Sequence, residues 1–566
     1  MATRRKRGPA AGGRLLPPAD GAVVRFYRIG HGDCFLLAFA GKRADAPVYV
    51  LIDCGYKPGS PQMIEPATNA DDIVADIVAA TGGRIDVAVI THEHQDHVNG
   101  ITEERFSGLE IGETWLAWTE EPDDPLAKEL RRKHRDTLLG LLEARNQLAA
   151  DGDADRVSRL DEFLSLELGE APAGTAAAFD AQFGASANKR SMKVLVDAAQ
   201  DGPQYLHPHT VRPVPRTKDV RAYVLGPPRD LELLESLDPT GDEEFHALRR
   251  EPRGARDVGS YFAAAVRAAE HGEEDRRGPF ASRFGVPIGA ALAREDALGE
   301  LMRRRYGTST TQHRSSRWES EVPDDAEWRR IEHDWLRSAD GLAIALGRYT
   351  NNSSLVLAFE LGLGGKVLLF CADAQRGNWL SWADKDWRAG RRQVTARDLL
   401  ARTVLYKVGH HGSHNATLNG RRADKHPNLD WMGLGTAAAE FTAMITAVRA
   451  WAEGHAGWDH PYGPIKAALL RKSQGRVLQT DTAVQAMQAP AGVAARTWQA
   501  FERRLVGTEL YFDLAIERSE LEDDGEPGIA AAPLPVMPIV PVEPEPFRRP
   551  SAESKRSMRY DVMEES

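Results

Sequence analysis

The stretch DVAVITHEHQDH, residues 86–97, decides the fold. Asp86–Ile90 is a short apolar run of the kind that forms a buried strand, and it ends directly in a polar loop. In layered α/β proteins, such a strand end delivers side chains to a sheet edge, where sites gather. His92, His94 and His97, with Asp96 among them, crowd into six positions. Imidazoles and carboxylates are costly to bury unpaired, so packing does not explain them. Metal ligation does, because imidazole suits Zn, Fe and Mn and a carboxylate adds a harder oxygen donor. His92 and His94 alternate and can face one side. Asp96 and His97 follow the turn and can reach a second ion roughly 3.5–4 Å from the first.

Working outward, two further strand ends carry the same residue types. KVLLFC, residues 366–371, ends at Asp373, and VLYKV, residues 404–408, ends at His410, His411 and His414. Six of the chain's 17 histidines thus fall in two short windows. Three strands converging on His92, His94, Asp96, His97, Asp373 and His410 or His411 form the donor set of a two-metal hydrolytic site. Short β segments at VVRFYRI, CFLLAFA and VYVLIDC, a helix near 70–80, and later LAIALG, SLVLAFEL, KVLLFCAD, TVLYKVG and VLQT imply a layered α/β fold. Segment 435–452 is Ala-rich and reads as helix.

These motifs resemble the metallo-β-lactamase superfamily. More narrowly, they are similar to the soluble hydrolase domain of the competence protein ComEC and its free-standing relatives. Supporting matches are Gly30–Asp33, Ile52–Gly55, VLGPP at 224–228, Asn352–Leu355, HHGS at 410–413, His460–Pro461 and Thr480–Asp481. The resemblance implies a four-layer αβ/βα sandwich with helical insertions. It implies His92 and His94 on a first ion, Asp96, His97 and His410 on a second, and Asp373 bridging; His410 is preferred to His411 as nearer the strand end. The ions are expected to be Zn2+, with Mn2+ or Fe as alternatives. A metal-activated hydroxide would attack, with Asp96 and Asp373 orienting it and His411 and His460 touching substrate or passing a proton. The superfamily's third histidine on the first ion has no recognisable counterpart: VLGPP offers Gly226, and His134, His207, His209, His246, His271, His313 and His333 sit in no motif, with His207–Pro–His209 the most ligand-like spacing. Asp33 and Asp53 are candidates to orient ligands or to cap turns.

The ligand positions divide the 566 residues into a basic arm (1–20), a first half of the fold (21–120), a helical insertion (121–215), a core strand (216–230), a second insertion or cap (231–340), a second half (341–515) and a Pro-rich tail (516–566). The tail places eight prolines between Pro527 and Pro550 and cannot bury a core; it is a candidate protein-docking segment. With 72 Lys+Arg against 83 Asp+Glu, the net charge of −11 excludes nucleic-acid binding by bulk positive charge. Two divalent ions, about +4, would reverse that sign locally. No apolar run reaches the roughly 18 residues of a membrane span. Three cysteines, Cys34, Cys54 and Cys371, cannot build a disulfide framework, so a cytoplasmic setting is expected. The substrate expectation is a phosphodiester, a nucleotide or nucleic acid, with Arg303–Arg305 and Arg391–Arg392 as candidate contacts. The alternatives are a small acyl, lactone or thioester substrate, or a non-catalytic metal-containing interaction protein.

Overall fold

The computed structural model describes residues 13–43, 46–236, 238–245, 293–306, 343, 346, 349–389, 392–455, 458–483 and 487–518. Strands β1 (Ala22–Tyr27), β2 (Cys34–Phe39), β3 (Val48–Cys54), β4 (Arg84–Val89), β5 (Glu110–Ala117) and β6 (Pro203–Leu206) lie side by side in chain order. A second sheet takes β7 (Val211–Pro213), β8 (Val220–Gly226), β9 (Val356–Leu361) and β10 (Val367–Phe370). β11 (Asp386–Ala389) and β12 (Arg392–Thr395) pair with each other. β13 (Thr403–Lys407), β14 (Thr442–Ile445) and β15 (Val477–Gln479) complete the second sheet, and β16 (Leu505–Gly507) and β17 (Tyr511–Ile516) return beside β1.

Strand alternation builds the layers. In VYVLIDC, Val48, Val50 and Ile52 point between the sheets while Tyr49 and Leu51 point to the helices. Phe35 meets Phe370 and Phe39 meets Phe359 across the inter-sheet core, with centroids 5.4 and 5.7 Å apart. Outside the first sheet lies α1 (Ala70–Thr81), whose Ile73, Val74, Ile77 and Ala80 form one buried stripe. Asn69 caps its start and left-handed Gly82 ends it. Leu399, Leu400, Ile465 and Leu469 cover the far face of the second sheet. The chain is therefore a helix–sheet–sheet–helix sandwich, as expected.

A four-residue helix, α2 (Gln95–Val98), follows β4. The segment after β5 forms α3 (Pro125–Asp151) and α4 (Ala154–Leu168), each capped by an Asp and closed by a left-handed glycine. They pack through Leu138, Leu142, Leu148, Leu160, Leu164 and Leu168. Two local expectations are corrected. Within LAIALG the described positions 343 and 346 are helical, not strand. Segment 435–452 is not one helix: β14 occupies its centre, because TAMI fills the gap between β13 and β15 with parallel pairing on both sides. Most of 231–340, including His246, His271, His313 and His333, the Pro-rich tail from 519, and the side chains of Arg303–Arg305 and Arg391 lie outside the described residues.

Candidate metal centre

The ends of β3, β4, β10 and β13 bring the centre together. Two glycines permit the approach: a Cβ on Gly32 would lie 2.3 Å from the Gly55 carbonyl oxygen, and one on Gly55 would lie 2.4 Å from the His97 nitrogen. The β1–β2 turn and the end of β3 therefore close onto the backbone of α2, and Asp33 N–H donates to the Asp96 carbonyl at 3.0 Å. After β13, His410 and His411 both adopt left-handed backbone, φ 41° and 52°, which is unusual for non-glycine residues and typical of sites held by their surroundings.

Each imidazole is tied on one ring nitrogen and directs the other inward. His97 Nδ1 lies 2.8 Å from Asp53 Oδ2, leaving Nε2 toward Asp373 Oδ1 at 3.3 Å. His411 Nδ1 donates to the Thr446 carbonyl at 2.9 Å, and its Nε2 lies 3.1 Å from Asp96 Oδ2 and 3.5 Å from Asp373 Oδ2. His92 Nδ1 rests on Thr91 and Ser354 hydroxyls at 3.2 and 3.3 Å, and its Nε2 lies 3.1 Å from His94 Nδ1. His94 Nε2 faces Glu167 Oε1 at 2.9 Å. Two donors each about 2.0–2.1 Å from one tetrahedral ion sit roughly 3.3 Å apart, so these separations are those of ligands sharing an ion. Asp96 Oδ1, Asp373 Oδ1 and His97 Nε2 are buried and make no hydrogen bond among the described residues. Asp96, His97, Asp373 and His411 form one compact donor group, and His92 with His94 form a second pair beside it. The residues fit metal.

Charge agrees with geometry. Burial opposes ionisation of Asp96 and Asp373, yet Lys57 and His411 for the first, and His411 and His97 for the second, hold them well below the usual carboxylate range. Burial would likewise lower His97 and His411, but the carboxylates prevail: His97 is held well above its ordinary value, and Asp373 with Asp96 raises His411 to about 9. His92, which lacks such a close carboxylate, is pushed well down by burial and by His97. Lys407, buried at the end of β13, lies 2.5 Å from Asp33 and 3.6 Å from Asp373. Lys57, also buried, lies 3.7 Å from Asp96 and 5.0 Å from the Trp458 ring.

His92, His94, Asp96, His97 and Asp373 therefore come together. Of the expected pair, His411 turns inward beside Asp96 and Asp373, while the preferred His410 sits between Asn351 (3.1 Å) and Gln375 (3.3 Å). Burial pushes His410 down to about 3. His460 stacks on His31 with centroids 5.4 Å apart and stands 6.1 Å from the His411 ring; burial holds it well below its ordinary value. Asp53 orients His97, whereas Asp33 pairs with Lys407. His207 and His209 separate, one to Glu121 and one beside Lys385. Gly226 packs against Asn378, leaving no room for a side chain. Cys34, Cys54 and Cys371 are free and buried, and Trp379, Trp382 and Trp387 are core residues. Sequence reasoning missed Lys57, Lys407 and Glu167, and gave His134 no role. A lysine inside the apolar VLYKV was a legible signal for Lys407. Glu167, near the end of an ordinary helix, had none.

The family model described as the metallo-beta-lactamase superfamily matches residues 45–105, which include β3, β4 and the whole first histidine window. No curated protein matches the chain. Among the described residues no helix is long and apolar enough to cross a membrane. That match and the sandwich fold support the metallo-β-lactamase superfamily, and with the buried His/Asp cluster they suggest a metal-dependent hydrolase.

Proposed function

We propose that the chain is a two-metal phosphodiesterase, of nuclease or nucleotide-hydrolase type. The observation that carries this reading is the paired donor set beside Lys57, a buried ammonium with no carboxylate closer than 3.7 Å among the described residues. His92 Nε2 and His94 Nδ1 would hold one ion and Asp96, His97 and His411 the other, with Asp373 serving both. Zn2+ suits these donors, with Mn2+ or Fe as alternatives. When bound, such ions acidify water and stabilise charge on a displaced oxygen. Lys57 supplies a cation for a non-bridging oxygen of an anionic substrate. His460 stacks on His31 beside the centre, placed to touch substrate. The similarity of the HHGS and Asn–Ser–Ser–Leu segments to the ComEC hydrolase domain supports the same substrate class.

A second reading, hydrolysis of a small acyl, lactone or thioester substrate, is favoured by enclosure. All six donors are at most 3% exposed. Metal analysis of the purified protein, followed by assays on labelled single- and double-stranded DNA, bis-p-nitrophenyl phosphate and acyl esters, separates them. Asp96→Asn and His94→Ala serve as controls. Phosphodiester cleavage lost in both variants is expected. Turnover of acyl esters alone would transfer the assignment to the second reading, and absence of bound metal would overturn both.

A further inference from the structure

The first helical insertion reaches into the centre through Glu167. Its carboxylate is completely buried, with Oε1 2.9 Å from His94 Nε2 and Oε2 3.0 Å from His134 Nε2 on α3. His134 Nδ1 in turn lies 3.4 Å from Glu93 Oε1, so a chain of polar contacts runs from the first histidine loop through the insertion and back. The end of α4 that carries Glu167 is itself clamped. Asn188 donates to the Leu166 and Glu167 carbonyls at 2.8 and 3.2 Å, and Gln95, next to Asp96, donates to the Gly169 carbonyl at 3.3 Å.

We infer that Glu167 is a positioning residue, which accepts the proton of His94 Nε2 and thereby keeps Nδ1 as the free lone pair facing His92 Nε2. The inference rests on the two-metal reading of the site. An imidazole offers one lone pair when neutral, and the partner of its outer nitrogen selects which nitrogen that is. His97 has Asp53 for this purpose and His411 has the Thr446 carbonyl. Among the described residues His94 Nε2 has the insertion's Glu167, so α3 and α4 form part of the metal centre. They matter most at the ion for which the described residues show no third histidine.

Two variants of the full chain test this. Glu167→Leu keeps the volume but removes the acceptor, whereas Glu167→Gln keeps a carbonyl for His94 while His134 turns its proton to Glu93. Co2+ titration followed by visible absorption, with Zn2+ competition against a chromophoric chelator, reads each site. Glu167→Leu is expected to weaken one of two ions by about 10–100-fold, the loss typical of an outer partner of a ligand. Glu167→Gln should restore binding close to wild type. Removing one partner of a buried pair also costs stability, so urea denaturation of both metal-free variants is measured alongside, and an affinity loss that merely tracks lost stability marks a packing role. Unchanged affinity in Glu167→Leu, or equal loss in both variants, overturns the inference while leaving the two-metal reading intact. Wild-type protein that takes up no ion overturns both.

Discussion

Asp53→Asn tests the orientation of His97. Asp53 Oδ1 accepts from the Thr91 backbone N–H at 2.9 Å. Its Oδ2 accepts from the Thr91 hydroxyl at 2.7 Å and from His97 Nδ1 at 2.8 Å. A backbone N–H can only donate, so the oxygen of an asparagine must stay on Thr91 N. Its amide nitrogen then faces His97 Nδ1 and donates to it. His97 is forced into the tautomer with a proton on Nε2, and the lone pair directed toward Asp373 disappears. The Thr91 hydroxyl must also turn away and toward His92 Nδ1, so the reversal can spread to the neighbouring donor pair. The expected loss is about 10–100-fold in metal affinity, or roughly 1.4–2.7 kcal/mol. The fold should survive, because asparagine tolerates the left-handed backbone at this position, φ 52°, and burial already penalises the charge on Asp53. Competitive Zn2+ titration measures the loss, and the imidazole nitrogen shifts of His97 report the tautomer. Unchanged affinity with a folded protein would refute the orientation argument.

Further outcomes follow from other parts of the structure. His411→Ala should weaken metal binding by more than the roughly 100-fold that losing an outer partner causes, while His410→Ala leaves metal content unchanged; the reverse result would restore His410 as the donor. Chelation of bound metal should lower thermal stability, by about 2.7 kcal/mol where free metal had stood at 100 times its Kd, and calorimetry with and without chelator reads it. Asp76→Ala removes an acceptor shared by Arg25 at 2.6 Å and Tyr27 at 2.8 Å; leaving that buried guanidinium half-paired should cost about 3 kcal/mol in urea denaturation. Burial and Glu93 push Glu120 up to about 7. Its contribution is therefore full below the ordinary glutamate range near 4.5 and lost as pH rises through about 7. Glu120→Gln should gain stability over wild type at pH 8 relative to pH 5, and a pH-independent difference would refute the assignment.

Local chemistry made much of this protein legible. Alternating apolar residues at 48–54 and the compact run at 86–90 specify strands because side-chain direction has period two. His92, His94, Asp96 and His97 were recognisable because that density of imidazole on one loop has no packing rationale. Local pattern failed where neighbours decide. TAMI carries no strong strand signal, and it becomes β14 through backbone pairing on both edges.

The same division runs through the centre. Residue type and strand-end position are local properties, and they were enough to single out candidate donors and to expect layered sheets. Which imidazole turns inward depends on backbone dihedrals at 410 and 411 that only the packed loop imposes. Which nitrogen it offers depends on Asp53, Thr446 and Glu167, residues 44, 35 and 73 positions from the histidines they hold. A ring nitrogen's role is set by what touches its opposite side, and that contact exists only once the chain has folded.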